Sequence, residues 1–271
     1  MSTTDPQNTA DSGPKYQSGD SVGLFIPCYI DRFYASAGEA TVRLLRKYGV
    51  TPDFPDGQTC CGQPAFNSGY WDEARKIVRH FCDVFKDYRW IVCPSGSCAA
   101  MCRSFFGHLD PSPAVVDVGQ RVYDLCEFLV DVLDVTSIDT TLPGKQPAKV
   151  ALHIGCHTRR ELGAAEQAET LLRSVGNIDI CEIPDVTECC GFGGTFSVKV
   201  PEVSLDMGRA KAENIIQSGC DILATTDSSC LMHFAGILNK LPGGDRIKTC
   251  HIAQLLDEKS AAKLINSQKT G

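Results

Sequence analysis

The feature that most constrains this chain is that it repeats itself. The run VGLFIPC ends at Cys28, and KVALHIGC ends at Cys156, an offset of 128 residues. LLRKYGV, starting at Leu44, is matched by LLRSVGN, starting at Leu171. FPDGQTCCG carries the doublet Cys60 and Cys61; IPDVTECCG carries Cys189 and Cys190, offset by 129. PSGSC ends at Cys98 and TDSSC at Cys230, offset by 132. Four landmarks in one order, with a drift of a few residues, mean an internal duplication.

Each half alternates short apolar runs with amphipathic patterns. VGLFI and KVALHI read as strands, as do RWIVCP and CDILATT. The periodicity predicts helices over Phe33–Tyr48 and Glu161–Val175, the first stopped by Gly49. Second helices are expected over Tyr70–Lys86 and over Pro201–Ser218, the latter opening on proline and closing at Gly219. The order strand–helix–strand–helix predicts an α/β fold: two pseudo-symmetric halves, each a mostly parallel sheet flanked by helices. The expected boundaries are a disordered tail at 1–20, a first domain at 21–135 and a second at 150–259. TSIDTTLPGKQPAK, at 136–149, reads as a linker, and 260–271 as a C-terminal tail. In such sheets ligands gather at the carboxyl ends of strands. Cys28, Cys98, Cys156 and Cys230 each fall just after a predicted strand.

Cysteine is the unusual part of the composition: 15 in 271 residues, an odd number that disulfides cannot use up. The opening MSTTDPQNTADSGPKYQSGD is polar and acidic, unlike a signal peptide or an anchor, and no apolar run spans a bilayer. A cytoplasmic location follows as the expectation, and there thiols stay reduced. Dense cysteine then points to metal or redox chemistry. A formal charge of −7 argues against nucleic acid or an anionic membrane as partner.

Each half offers one cysteine after its first strand, an adjacent pair before glycine, and one after a later strand. The intervening stretches are 31 residues between Cys28 and Cys60, and 32 between Cys156 and Cys189. From each doublet to the last cysteine they are 36 and 39. Four thiolates on three loops can surround an iron–sulfur cluster or a soft metal. Neighbouring thiolates repel unless a cation compensates them. Gly62, Gly191, Gly193 and Gly194 allow close backbone approach and supply N–H donors. Two other readings compete: a zinc scaffold, which usually uses C-x-x-C knuckles, and a thiol–disulfide enzyme working through Cys60–Cys61 or Cys189–Cys190.

The remaining candidates are weaker. Cys93 and Cys102 flank Cys98, but the second half has Thr225 and Phe234 in their places. Cys82, Cys126, Cys181, Cys220 and Cys250 lack repeat partners and read as core. His157 follows Cys156 directly and is a candidate second-shell donor, proton relay or ligand, although Tyr29 matches it. His251 reads as a cap or packing residue, His153 as a structural strand residue, and Arg159 and Arg160 as surface cations. GFGGTFS fits neither nucleotide-binding fingerprint.

The doublets and their flanks resemble the CCG cysteine-rich domain family, which includes the heterodisulfide reductase B subunit. FPDGQTCCGQPAFNSGY, PSGSCAAM, CCGFGGTFSVK and HIAQLL are more specifically similar to the lactate utilization protein A family. The resemblance implies one partner of a multi-protein system oxidising L-lactate to pyruvate, working with further iron–sulfur proteins. This chain's part would be electron transfer. It implies one cluster per domain, bound by Cys28, Cys60, Cys61 and Cys98 and by Cys156, Cys189, Cys190 and Cys230. The family's fuller pattern ends in C-x-x-C. Here Ser95 and Asp227 replace the first cysteine of that motif. An ordinary 4Fe-4S cluster and a noncubane cluster with an oxygen ligand from Ser95 or Asp227 both remain open.

Overall fold

The computed structural model describes residues 13–266. Among the described residues, seven strands form two wholly parallel sheets. In the first, β1 (Val22–Leu24), β2 (Trp90–Cys93) and β3 (Val122–Asp124) lie in that order. In the second, β4 (Ala148–His153), β5 (Ile178–Cys181), β6 (Ile222–Thr225) and β7 (Lys248–His251) are arranged β5-β4-β6-β7. A lone parallel bridge from Gly23 to Asp53 occupies in the first sheet the place that β5 holds in the second. The two halves thus share one strand order. The change of direction falls beside β1 and β4, where the outward crevice of such a sheet opens.

The helices lie close to the expected spans. They cover Ala35–Lys47, Trp71–Phe85, Ala165–Arg173 and Pro201–Gln217. Two further short helices show the duplication where the sequences have diverged. Leu125–Glu127 is capped by a box between Asp124 and Glu127, and Ile252–Leu256 by a box between His251 and Gln254. His251 is therefore a cap, as its position at the head of HIAQLL suggests.

The halves interlock instead of lying side by side. Helix Ile252–Leu256, at the end of the second half, packs on Ala35–Lys47 of the first. Reciprocally, the segment after β3, with a π-helical turn at Phe128–Val132, packs on Ala165–Arg173. One continuous core therefore contains Leu44 and Leu45 together with Leu171, Leu172, Leu255 and Leu256. A pseudo-twofold relation follows, because each contact has its mirror.

Several segments expected to be loose are tied to this body. Within 136–149, Ile138 and Leu142 are buried in the shared core and Thr141 bridges to Gly176, so the apolar pair holds the connection down. Beyond 260 the chain continues as helix Glu258–Asn266. Arg43 anchors it, donating to Asp257 Oδ2 at 2.9 Å and Ser260 Oγ at 2.8 Å. At the other end, Tyr16 N–H donates to Val132 O at 3.2 Å and Trp90 Nε1–H to Asp20 Oδ2 at 2.9 Å. The rest of the two predicted tails, 1–12 and 267–271, lies outside the described residues.

Candidate metal centre

The carboxyl ends of the two sheets face each other, and the eight repeated cysteines line one cavity of about 210 Å³ between them. Cys28 opens helix Cys28–Phe33 directly after β1. Cys98 sits in helix Gly96–Ala100, just beyond β2, and Cys230 in helix Ser228–Leu238, just beyond β6. Each doublet rides a glycine-rich loop between sheet and helix. The approach of the two walls is close: a Cβ on Gly96 would fall 1.7 Å from Thr158 Oγ1. Glycine is required there by contact with the other half.

Within each half the four sulfurs form a chain. Cys28 Sγ lies 3.9 Å from Cys60 Sγ, and the Cys61 thiol touches both Cys60 and Cys98. Cys190 Sγ lies 3.1 Å from Cys230 Sγ, while Cys189 touches both Cys156 and Cys190. The burial pattern repeats as well. Cys61, Cys98, Cys190 and Cys230 are buried; Cys28, Cys60, Cys156 and Cys189 are half-buried and face the cavity. All fifteen cysteines are free thiols.

The electrostatics single out the same member of each set. Contacts from Cys28 and Cys61 hold the Cys60 thiol down at about 3. Contacts from Cys156 and Cys190 hold Cys189 at about 2. Gly62 N–H donates to Cys60 Sγ and Gly191 N–H to Cys189 Sγ, each at 3.4 Å. Their direct neighbours go the opposite way: contact with Cys60 raises Cys28 and Cys61, and contact with Cys189 raises Cys156 and Cys190. Gly191 has φ +84°, and a Cβ there would stand 2.6 Å from Ser204 O. Only glycine lets this loop lie against helix Pro201–Gln217 and aim its amide at sulfur.

Ser95 and Asp227 meet at the pseudo-twofold. Ser95 Oγ donates to Asp227 Oδ2 at 3.1 Å, and Ser97 N–H donates to the same oxygen at 2.8 Å. Ser229 N–H donates to Oδ1 at 3.0 Å, and the Ser229 hydroxyl bonds it too. Ser97 and Ser229 are matching residues of the duplication, so one carboxylate caps both cysteine-bearing helices. Burial opposes its ionisation, yet the bonds from Ser229 and Ser97 outweigh it and hold the carboxyl below the usual range. Both residues line the cavity. Both carboxylate oxygens are already engaged.

His157 also lines the cavity. Its Nε2 lies 3.4 Å from Gln63 Nε2 across the cleft, and its Nδ1 is 3.2 Å from Glu161 without hydrogen-bond alignment. Tyr29 of the first half meets Phe192 of the second edge-on at 5.7 Å, over the cavity. The unmatched cysteines do not line the cavity: Cys93 and Cys102 are buried among Phe25, Phe81 and Phe106 in the cluster that also holds Cys61 and Cys98, and Cys126 and Cys250 lie in the shared core. His153 was not distinguished by sequence from an ordinary strand residue. Its place at the carboxyl end of β4 is the signal that could have drawn attention to it. Its imidazole lies within 4.8 Å of the sulfurs of Cys190 and Cys230, and burial lowers it to about 4.

The cysteine-rich CCG domain matches twice, over residues 22–103 and 150–235. Lactate utilization protein A of Exiguobacterium sp. is 43% identical over 245 residues, covering 88% of this chain and 97% of its own. The chain belongs to the lactate utilization protein A family. Within this family, the protein of Oceanobacillus iheyensis is 40% identical over 240 residues, covering 87% of this chain and 96% of its own. Lactate utilization protein A 2 of Bacillus mycoides is 39% identical over 243 residues, covering 88% and 99%. Among solved structures, a Bacillus anthracis glutamate racemase aligns with 90% of this chain and 80% of its own. Its TM-score is 0.35 and its identity 11%, too remote to inform the fold or chemistry of this lactate utilization protein A family member. Among the described residues no helix is long and apolar enough to cross a membrane.

Proposed function

We propose that this chain serves lactate utilization as the iron–sulfur electron-transfer subunit of a cytoplasmic, multi-protein system that oxidises L-lactate to pyruvate. Membership in the lactate utilization protein A family supports the metabolic role. One observation supports the electron-transfer role above the others: eight free thiols line a single cavity as two quartets.

The donor sets fit the cofactor. Each offers four soft sulfur ligands, half of them buried, with backbone amides aimed at sulfur. Cys28, Cys60, Cys61 and Cys98 would hold one cluster, and Cys156, Cys189, Cys190 and Cys230 the other. Such clusters, when bound, accept and release single electrons. The chain's own residues then do three things. Gly62 and Gly191 donate to sulfur and stabilise its negative charge. Asp227 fixes both cysteine-bearing helices at their first turns. Tyr29 and Phe192 cover the cavity with aromatic surface. Other iron–sulfur proteins of the same system are the partners this reading requires. Exposed Val198 lines the cleft and exposed Tyr70 lies beneath the neighbouring Lys199, a surface that suits a protein contact.

The deciding experiment is anaerobic purification followed by iron and sulfide analysis and electron paramagnetic resonance, with and without the partner proteins. Iron and sulfide in both sites, reduced by lactate through the partners, are expected. Iron-free, colourless protein after cluster reconstitution rejects the proposal. Stoichiometric zinc without iron, with activity retained, establishes the scaffold reading instead, and a mixed disulfide trapped at either doublet establishes the thiol–disulfide one.

A further inference from the structure

The two quartets match in cysteine but differ in what stands behind them. Three residues before the first cysteine of each set lie Phe25 and His153. Phe25 is fully buried and packs edge-on against Phe81 at 4.9 Å and Phe85 at 5.8 Å. It asks for nothing more. His153 is 1% exposed and packs edge-on against Phe234 at 4.8 Å, but neither ring nitrogen has a hydrogen-bond partner. A neutral imidazole carries one donor and one acceptor. Leaving a buried polar group unsatisfied costs about 1–3 kcal/mol, so the ring has a purpose that the protein's own groups do not meet.

Its surroundings show what that purpose is. The ligating nitrogen of His153 and the sulfurs of Cys190 and Cys230 all lie within 4.8 Å of one another. One nitrogen and two sulfurs converging in a buried space make a metal-binding set. In the first half the phenyl ring of Phe25 offers no such atom. We propose that His153 is a nitrogen ligand to the metal centre of the second quartet, joining Cys190 and Cys230, so that the molecule carries one all-sulfur centre and one mixed nitrogen–sulfur centre. This rests on the reading that the quartets hold iron–sulfur centres. A neutral imidazole adds a donor atom without adding negative charge, and ligand identity is one of the levers that set the potential of such centres. The two centres then differ in ligand set while carrying the same four thiolates, and their potentials differ.

The test uses the full chain grown with ¹⁵N-histidine, isolated anaerobically and loaded with iron and sulfide. Pulsed electron paramagnetic resonance of the reduced protein reads nitrogen bound directly to iron, and a redox titration reads the two potentials. We expect two signals of different potential, with histidine nitrogen coupled to one of them only. His153→Phe, which copies the first half, abolishes the coupling and shifts that centre's potential, leaving the other signal in place. His157→Gln, removing the histidine that lines the cavity, leaves the coupling intact. Iron and sulfide present in both sites without directly bound nitrogen overturn the inference while the iron–sulfur reading stands, as does coupling that vanishes in His157→Gln. Wild-type chain that takes up no iron overturns both. The labelled wild-type protein suffices should His153→Phe fail to fold.

Discussion

Ser95 Oγ donates to Asp227 Oδ2 at 3.1 Å, and the two residues occupy equivalent places in a duplication 132 residues apart. The bond is the meeting of a position with its own copy across the pseudo-twofold. An aspartate at both places would set two carboxylates against each other in a dry site, and one would be forced to take a proton. Serine on one side and aspartate on the other gives a donor and an acceptor. The two positions that depart from C-x-x-C are thus bonded to each other.

Asp227→Ala leaves the amides of Ser97 and Ser229 without an acceptor at two helix starts. A loss of about 2–4 kcal/mol is expected, and about 1 kcal/mol for Asp227→Asn, which keeps one oxygen. The native carboxyl lies below its ordinary value of 3.8. Its bonds therefore stabilise fully above that value, and the contribution is lost as pH falls through the lower folded value. Urea unfolding of the metal-free protein from neutral to strongly acidic pH checks this. The wild type weakens in acid, and Asp227→Asn flattens that slope.

Cys60 and Cys189 are thiolates at neutral pH in the metal-free chain, held at about 3 and about 2. At mildly acidic pH iodoacetamide should alkylate these two half-buried sulfurs first, and mass spectrometry of the digest identifies them. Cys82, pushed up to about 12 by burial, and Cys250, also about 12, stay unmodified.

Cys60→Ser is expected to remove the iron of the first centre and spare that of the second; Cys189→Ser does the reverse. Cys126→Ala, in the shared core, keeps both and lowers stability by about 1–2 kcal/mol for the small cavity it leaves. Iron per chain together with the unfolding midpoint separates the two classes.

Gly191→Ala combines a positive φ with a Cβ 2.6 Å from Ser204 O, and about 2–4 kcal/mol should be lost. Gly194, at φ +65°, has open space around it, so Gly194→Ala costs about 1 kcal/mol. Denaturant midpoints of the two variants measure how much of the requirement is contact and how much is backbone conformation.

Much of this was legible in the sequence, for reasons that differ from residue to residue. RWIVCP and KVALHI lie in parallel sheets, where buried strands read as continuous apolar runs. Gly49 and Gly219 marked helix ends because a left-handed residue there favours glycine; their φ angles are +82° and +70°. The single cavity was not legible. Comparing the halves aligns each with the other and says nothing about how they face, so Ser95–Asp227 and Gly96–Thr158 had no signal. Ile138 and Leu142 were hidden by the prolines and polar residues around them. His153 sits inside an apolar strand, where one polar residue reads as incidental.

The reciprocal seating of helix Ile252–Leu256 on Ala35–Lys47, and of the segment after β3 on Ala165–Arg173, bears on where such a molecule comes from. Each half has a core of its own, but neither covers the shared one, so a single unduplicated copy would expose Leu44 and Leu45 or their counterparts to water. Two separate copies of one half would have to bury these leucines against each other about a twofold axis, and every residue on that axis would meet its own identical copy. A fused chain is free of that constraint, and Ser95 meets Asp227 instead of a second Ser95.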